Sequence, residues 1–318
     1  MTTPVTDPPR AKGPLVWLDM DQWELDDAYD HARFAPNREH VLARYLVNSG
    51  TARATLGEPL RRAYGPSDAE QLDIFRTSQA TAPVMIFVHG GAWRGQTAAG
   101  YALLAEAFVR AGAHLVIPDF ATADELDGDL MPMVEQVRRA VAWVLEHAGD
   151  FGGDPSRLYL AGHSSGAHLG GCVVTTDWPA RGLPADILKG AALASGMYDL
   201  RPVRLSKRSA YLRLTDELEA ALSPIRHLDR LGLPLIVSYG SCETPEFQRQ
   251  SVDFYRAVRA AGKPATLLVG EGYNHFELLE TLGNPYGLLG RAALAQLGLG
   301  APVQAGPGML TQMGLGVQ

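Results

Sequence analysis

Cysteine is nearly missing from this chain, with two residues, Cys172 and Cys242, in 318. Two thiols cannot build a disulfide framework or a zinc site, and both are expected to be free and buried. Metal spacing is missing too: the nine histidines form no HExxH, and His163 and His168 do not share a helix face. Long apolar runs are absent. Pro83 to Val88 and Leu233 to Val237 fall far short of the ~18 to 20 residues a membrane helix needs. Excess positive charge is also lacking. Lys and Arg total 28 against 35 acids, a formal charge of −7, with no basic stripe to neutralise a row of phosphates, which argues against nucleic acid. The N-terminal segment carries no apolar core of a secretory leader, so a cytoplasmic location is expected.

What remains is a chain with 46% hydrophobic and 20% charged residues, able to bury a large core. Residues 1–16 and 300–318 are expected to be mobile tails, and residues 17–299 a single domain. Within it, residues 21–47 read as helical and Gln71 to Phe75 as a short strand. The buried strand Val84 to Val88 then ends in His89-Gly90-Gly91. Beyond it the spacing predicts helices over residues 98–111 and 131–147, strands over 115–117 and 158–161, and a helix from Ser164. Strands at about 191–194, 235–239 and 266–269 follow, separated by helices over about 247–261 and 285–297. This alternation defines an α/β class with a mostly parallel central sheet flanked by helices. The charged, amphipathic stretch 204–227 interrupts it and is expected to form a small helical lid over one end of the sheet.

Two glycine motifs carry chemistry. Gly162-His163-Ser164-Ser165-Gly166 follows a strand and opens a helix, the setting of a nucleophile elbow, where small residues on either side permit a sharp turn that lifts a serine above the sheet. Alone it is a weak signal, because a plain glycine turn reads the same way. His89-Gly90-Gly91-Ala92-Trp93 strengthens it: a glycine loop after an earlier strand supplies the other half of an oxyanion hole. The amides of Gly91, Ala92 and Ser165 are the expected donors, and Trp93 a candidate wall for substrate. Serine needs a base and the base an orienting carboxylate. His275, in a loop after the final predicted strand, is the candidate base. The acid should follow the preceding strand, where Glu243 lies nearest the strand end and Glu246 reads as the first turn of the next helix. Glu243 is preferred and Glu246 stays open. His163 and His168 are expected to pack, His89 to brace the glycine loop, and Asp199 to organise its own loop.

With LDDAYDHARFAPNREHVLARY, HGGAW, GHSSGAH, SGMYDL, ETPEFQRQS and GYNHFE in view, the sequence resembles the kynurenine formamidase (arylformamidase) branch of the α/β-hydrolase superfamily, beside the hormone-sensitive-lipase-like carboxylesterases. The resemblance spans about residues 20–297. It implies the α/β-hydrolase fold, with Ser164 as nucleophile, Glu243 as acid and His275 as base. The implied activity is cleavage of a small formyl-type amide of an aromatic amine through an acyl-enzyme, without cofactor or metal. Two departures bear on the substrate: the acid position is more often aspartate, and Ile117-Pro118-Asp119-Phe120-Ala121-Thr122 replaces a tyrosine-arginine-leucine-like run. A carboxylesterase for short acyl or aryl esters shares every motif, and a non-catalytic binding protein of the same fold is the rival from another class. The expected partner is a small aromatic amide or ester, not nucleic acid or membrane, and a homodimer is compatible with the chain.

Overall fold

The computed structural model describes residues 10–300. Strands β1 (Leu15–Trp17) and β2 (Met20–Asp21) form a small antiparallel hairpin. Helices α1 (Gln22–Ala28), α2 (His31–Phe34) and α3 (Arg38–Leu56) follow. Part of the expected N-terminal tail is therefore ordered: Asp21 accepts from Arg10 and from the Gly13 N–H, which ties this stretch to the start of α1. Residues 1–9 and 301–318 lie outside the described residues. The helical reading of 21–47 resolves into three helices, because Asp30 and Ala35-Pro36-Asn37 break it, and α3 runs on to Leu56, where Gly57 ends it.

The remaining strands are β3 (Leu60–Ala63), β4 (Gln71–Phe75), β5 (Ala82–Val88), β6 (His114–Pro118), β7 (Gly153–His163), β8 (Gly190–Ala194), β9 (Leu235–Gly240) and β10 (Ala265–Gly270). They form one sheet in the order β10-β9-β8-β7-β5-β6-β4-β3. The pairings β3–β4 and β4–β6 are antiparallel, and the rest are parallel. Every residue of β5, β6 and β8 is buried, as expected where helices cover both faces of a parallel sheet.

Helices α4 (Ala105–Ala111), α5 (Leu130–His147), α6 (Ser165–Val174), α7 (Arg201–Leu205), α8 (Asp216–Ala221), α9 (Pro245–Ala260), α10 (His275–Glu280) and α11 (Leu288–Gln296) complete the chain. In α5 the buried residues Met133, Val134, Val137, Ala140, Val141 and Val144 recur at helical spacing. Each large one stabilises the fold by about 1.5–3 kcal/mol through loss of exposed apolar surface. The first half of the helix expected over 98–111 is a 3-10 turn, Ala98–Leu104, that runs into α4. The stretch 204–227 holds α8 and two 3-10 turns, Lys207–Ala210 and Pro224–Arg226.

Parallel strands share one direction, so their C-terminal ends share one edge of the sheet. That edge receives the His89–Trp93 loop from β5, Ser164 from β7, Ser195 from β8, Glu243 from β9 and His275 from β10. Residues far apart in sequence thus converge there without any long loop.

Candidate active site

Ser164 sits between β7 and α6 with φ 57° and ψ −127°. An L-residue there is strained by about 1–3 kcal/mol. The turn closes because its flanks are glycine: a β-carbon on Gly162 would lie 2.6 Å from the Gly166 carbonyl oxygen, and one on Gly166 would overlap the carbonyl oxygens of Val88 and His89. The Ser164 N–H is held by the Ala194 carbonyl at 2.9 Å, which pins the turn to the end of β8.

The structure brings three of the sequence-predicted residues into one hydrogen-bonded chain. Ser164 Oγ lies 2.9 Å from His275 Nε2, and His275 Nδ1 lies 2.7 Å from Glu243 Oε2. All three residues are buried. The second carboxylate oxygen of Glu243 accepts from Ser195 Oγ and from the Gly240 N–H, each at 2.6 Å. With Oε1 occupied by these two donors, Oε2 accepts from His275 Nδ1, which places the ring proton on Nδ1 and leaves Nε2 free to accept. Glu246 points elsewhere. It lies in the first turn of α9 and binds Arg249 Nε and Nη2 at 2.7 and 2.6 Å.

His275 is the first residue of α10, and its backbone is set by a capping box. Asn274 accepts from the Phe276 and Glu277 N–H groups, while Glu277 accepts from the Asn274 N–H. Asn37 clamps both members of the box, donating to Glu277 at 2.7 Å and accepting from Asn274 at 2.8 Å. His163 Nε2 donates to the His275 carbonyl at 2.8 Å. Burial, then the nearby His275, holds the His163 pKa well below its ordinary value, so its ring stays neutral. His163 therefore does more than pack: it braces the backbone of the candidate base. No local sequence signal announces that contact, which spans 112 positions.

The glycine loop is strained in the same sense as the elbow. Gly91, Ala92 and Trp93 have φ of 122°, 55° and 62°. The Trp93 N–H donates to Ser165 Oγ at 3.2 Å, and the Trp93 carbonyl accepts from the Ala123 N–H at 2.6 Å, locking the run in place. Among the described residues the N–H groups of Gly91, Ala92 and Ser165 have no partner. His89 Nδ1 donates to the Gly90 carbonyl at 2.9 Å and helps hold the loop.

Trp93 requires a correction. It is 2% exposed, and its indole N–H donates to His168 Nδ1 at 3.2 Å, so it packs beneath the loop and does not wall the cleft. The reason is the left-handed backbone at Ala92 and Trp93, which turns the indole towards α6. His168 is committed on both nitrogens, with Nε2 donating to the Leu222 carbonyl at 2.8 Å, and burial lowers its pKa to about 4. Cys172 is buried as expected, with its thiol pushed up to about 12 by burial, but Cys242 is exposed in the loop after β9. Asp199 accepts from the Arg201 N–H within its own loop.

A cavity of about 150 Å³ opens above Ser164, lined by Gly91 and Ala92 on one side and by His31, Tyr101, Phe276 and Arg208 on others. His31 stacks on His275 with ring centroids 3.7 Å apart and planes 15° from parallel. Both its ring nitrogens are buried without a partner, and burial, then the neighbouring His275 and Arg208, keeps its pKa well below the usual value. Neither His31 nor Arg208 stood out in the sequence, since α2 and the 204–227 stretch meet the cleft only through tertiary packing.

An elbow serine, an imidazole and a carboxylate at the C-terminal edge of this sheet define a serine hydrolase of the α/β-hydrolase fold. The chain belongs to the kynurenine formamidase family. It is 33% identical over 298 residues to a kynurenine formamidase of Danio rerio, covering 89% of this chain and 98% of that protein. It is 31% identical to a kynurenine formamidase of Salmo salar, covering 84% and 93%. The family model described as BD-FAE matches residues 72–179. Among solved structures, a thermophilic esterase of Thermogutta terrifontis superposes with a TM-score of 0.63 at 22% identity, covering 78% of this chain and 95% of that one, which speaks for the fold alone. No helix among the described residues is long and apolar enough to cross a membrane.

Proposed function

We propose that this protein hydrolyses the formyl amide of an aromatic amine, as its kynurenine formamidase relatives are named for, with Ser164 as nucleophile, His275 as base and Glu243 as the orienting acid. The observation that carries this reading is the unbroken chain from Ser164 Oγ to His275 to Glu243, at 2.9 and 2.7 Å, within a chain of this family. His275 Nε2 takes the Ser164 proton as Oγ bonds to the formyl carbon. The oxyanion is received by the free N–H groups of Gly91, Ala92 and Ser165, the last at the positive end of α6. His275 then passes the proton to the amine nitrogen, the C–N bond breaks, and the aromatic amine departs. Water attacks the formyl-serine with His275 again as base, releasing formate and restoring Ser164. An aryl amine leaves readily because its lone pair delocalises into the ring. Tyr101, Phe276 and His31, not Trp93, supply the aromatic surroundings of the cleft.

Turnover of N-formylkynurenine, plain formanilide and p-nitrophenyl acetate, compared by kcat/KM, tests the reading. Formamide turnover lost in Ser164→Ala is expected. Ester turnover without formamide turnover would make the protein a carboxylesterase, and no turnover of any of the three would favour a binding protein.

A further inference from the structure

Arg208 is the only arginine among the described residues that is buried, at 6% exposure. A guanidinium cannot shed its charge, so burying it demands compensation, and burial without a counter-ion is costly. Two partly buried arginines have carboxylate partners: Arg249 pairs with Glu246 and Asp253, and Arg53 with Asp73. Arg208 has no carboxylate oxygen within 4.0 Å among the described residues. Its Cζ lies over the Tyr29 ring at 5.4 Å and the Trp93 ring at 5.7 Å, so two aromatic rings offset part of its charge. Along its edge, Nη1 donates to the Tyr211 hydroxyl at 2.9 Å, while Nε is buried without a partner.

That free edge belongs to a residue lining the same cavity as Ser164. The other unpartnered side chain there, His31, is held neutral, so the one fixed charge offered to a ligand is positive. We propose that Arg208 is a specificity-determining residue that receives a carboxylate on the leaving group of the substrate. This rests on the reading of the Ser164 cleft as an acyl-transfer site. A formyl group has no room for a charge, so with such an acyl group the anion must be carried by the aromatic amine. A carboxylate matches the planar fork of a guanidinium edge, and a fixed, desolvated cation gives it more than an exposed lysine would. The stretch 204–227, which carries Arg208, then reads the substrate's charge.

The test uses pairs of substrates with the same scissile bond: N-formylkynurenine and its methyl ester, and the acetate of a carboxylated phenol and of its methyl ester. In the native protein kcat/KM should favour the acid of each pair by roughly 10- to 100-fold, the range of a hydrogen-bonded charge. Arg208→Met should collapse that ratio towards one, mainly by raising KM for the acid. Arg208→Lys should give an intermediate ratio. Both substrates of a pair are measured on one preparation, so partial unfolding of a variant cancels. If the protein cleaves only esters, the formamidase reading fails, yet the acetate pair still decides the role of Arg208. Absence of acid preference in the native protein, or an unchanged ratio in Arg208→Met, would overturn it.

Discussion

Replacing Glu243 by Gln tests the site without changing its shape. Glu243 Oε1 receives two donors, Ser195 Oγ and the Gly240 N–H, the second of which cannot reverse its role. In Glu243→Gln the amide oxygen must therefore stay on that side, and the NH2 must face His275 Nδ1. An NH2 there makes Nδ1 an acceptor, so the imidazole proton moves to Nε2, the atom 2.9 Å from Ser164 Oγ that has to accept the serine proton. Reversing the tautomer in such a triad costs about 10⁴ in kcat, or roughly 5 kcal/mol of barrier. Steady-state hydrolysis of N-formylkynurenine or p-nitrophenyl acetate, with near-ultraviolet circular dichroism to check packing, reads the effect. Glu246→Gln is the control: it weakens the ion pair with Arg249 and should lower the unfolding midpoint while leaving kcat within a few-fold. A folded Glu243→Gln protein retaining more than a tenth of native kcat would refute this reasoning.

Other consequences concern the strained turn and the buried histidines. Ser164→Gly relieves a left-handed φ that Ser164→Ala retains, so urea unfolding should find the glycine variant more stable than the alanine variant by about 1 kcal/mol. Equal stabilities would mean the turn stores no strain. Gly166→Ala puts a methyl group against the Val88 and His89 carbonyls, and should cost about 1–3 kcal/mol of stability together with most of the activity, read by unfolding and turnover on one sample. His31, His89, His163 and His168 all have pKa values lowered chiefly by burial. The unfolded chain binds protons that the folded one refuses, so this contribution is whole above the unfolded histidine value of about 6.5. It is lost as pH falls below that, at up to about 1.4 kcal/mol per pH unit for each histidine. A urea midpoint at pH 5.5 no lower than at pH 7.5 would contradict it.

Much of the architecture was legible because parallel α/β sheets write themselves locally. A run such as Val84 to Val88, buried on both faces and closed by glycines, announces a central strand, and strand ends announce where loops converge. Glu243 is preferred over Glu246 for the same reason, since one lies in the loop that follows a strand and the other in the first turn of a helix. The antiparallel edge was harder: β3 is short, charged and mostly exposed, so neither periodicity nor apolar content marks it. The direction of Trp93 depends on left-handed backbone at Ala92 and Trp93, which neither residue type signals. Cys242, expected to be buried, is exposed because it lies in the loop that follows β9. His31 lies in a stretch that carries the family resemblance and Arg208 in the charged stretch 204–227, but neither side chain has a local signal of its role, because each reaches the cleft only through tertiary packing.

The central claim is that Ser164 is an activated nucleophile. Treatment of the full chain with a fluorophosphonate, followed by peptide mass spectrometry, addresses it directly. One adduct on Ser164, absent from Ser164→Ala and suppressed by excess N-formylkynurenine, is the predicted result. No adduct on the native protein, or one that persists in Ser164→Ala, would contradict it.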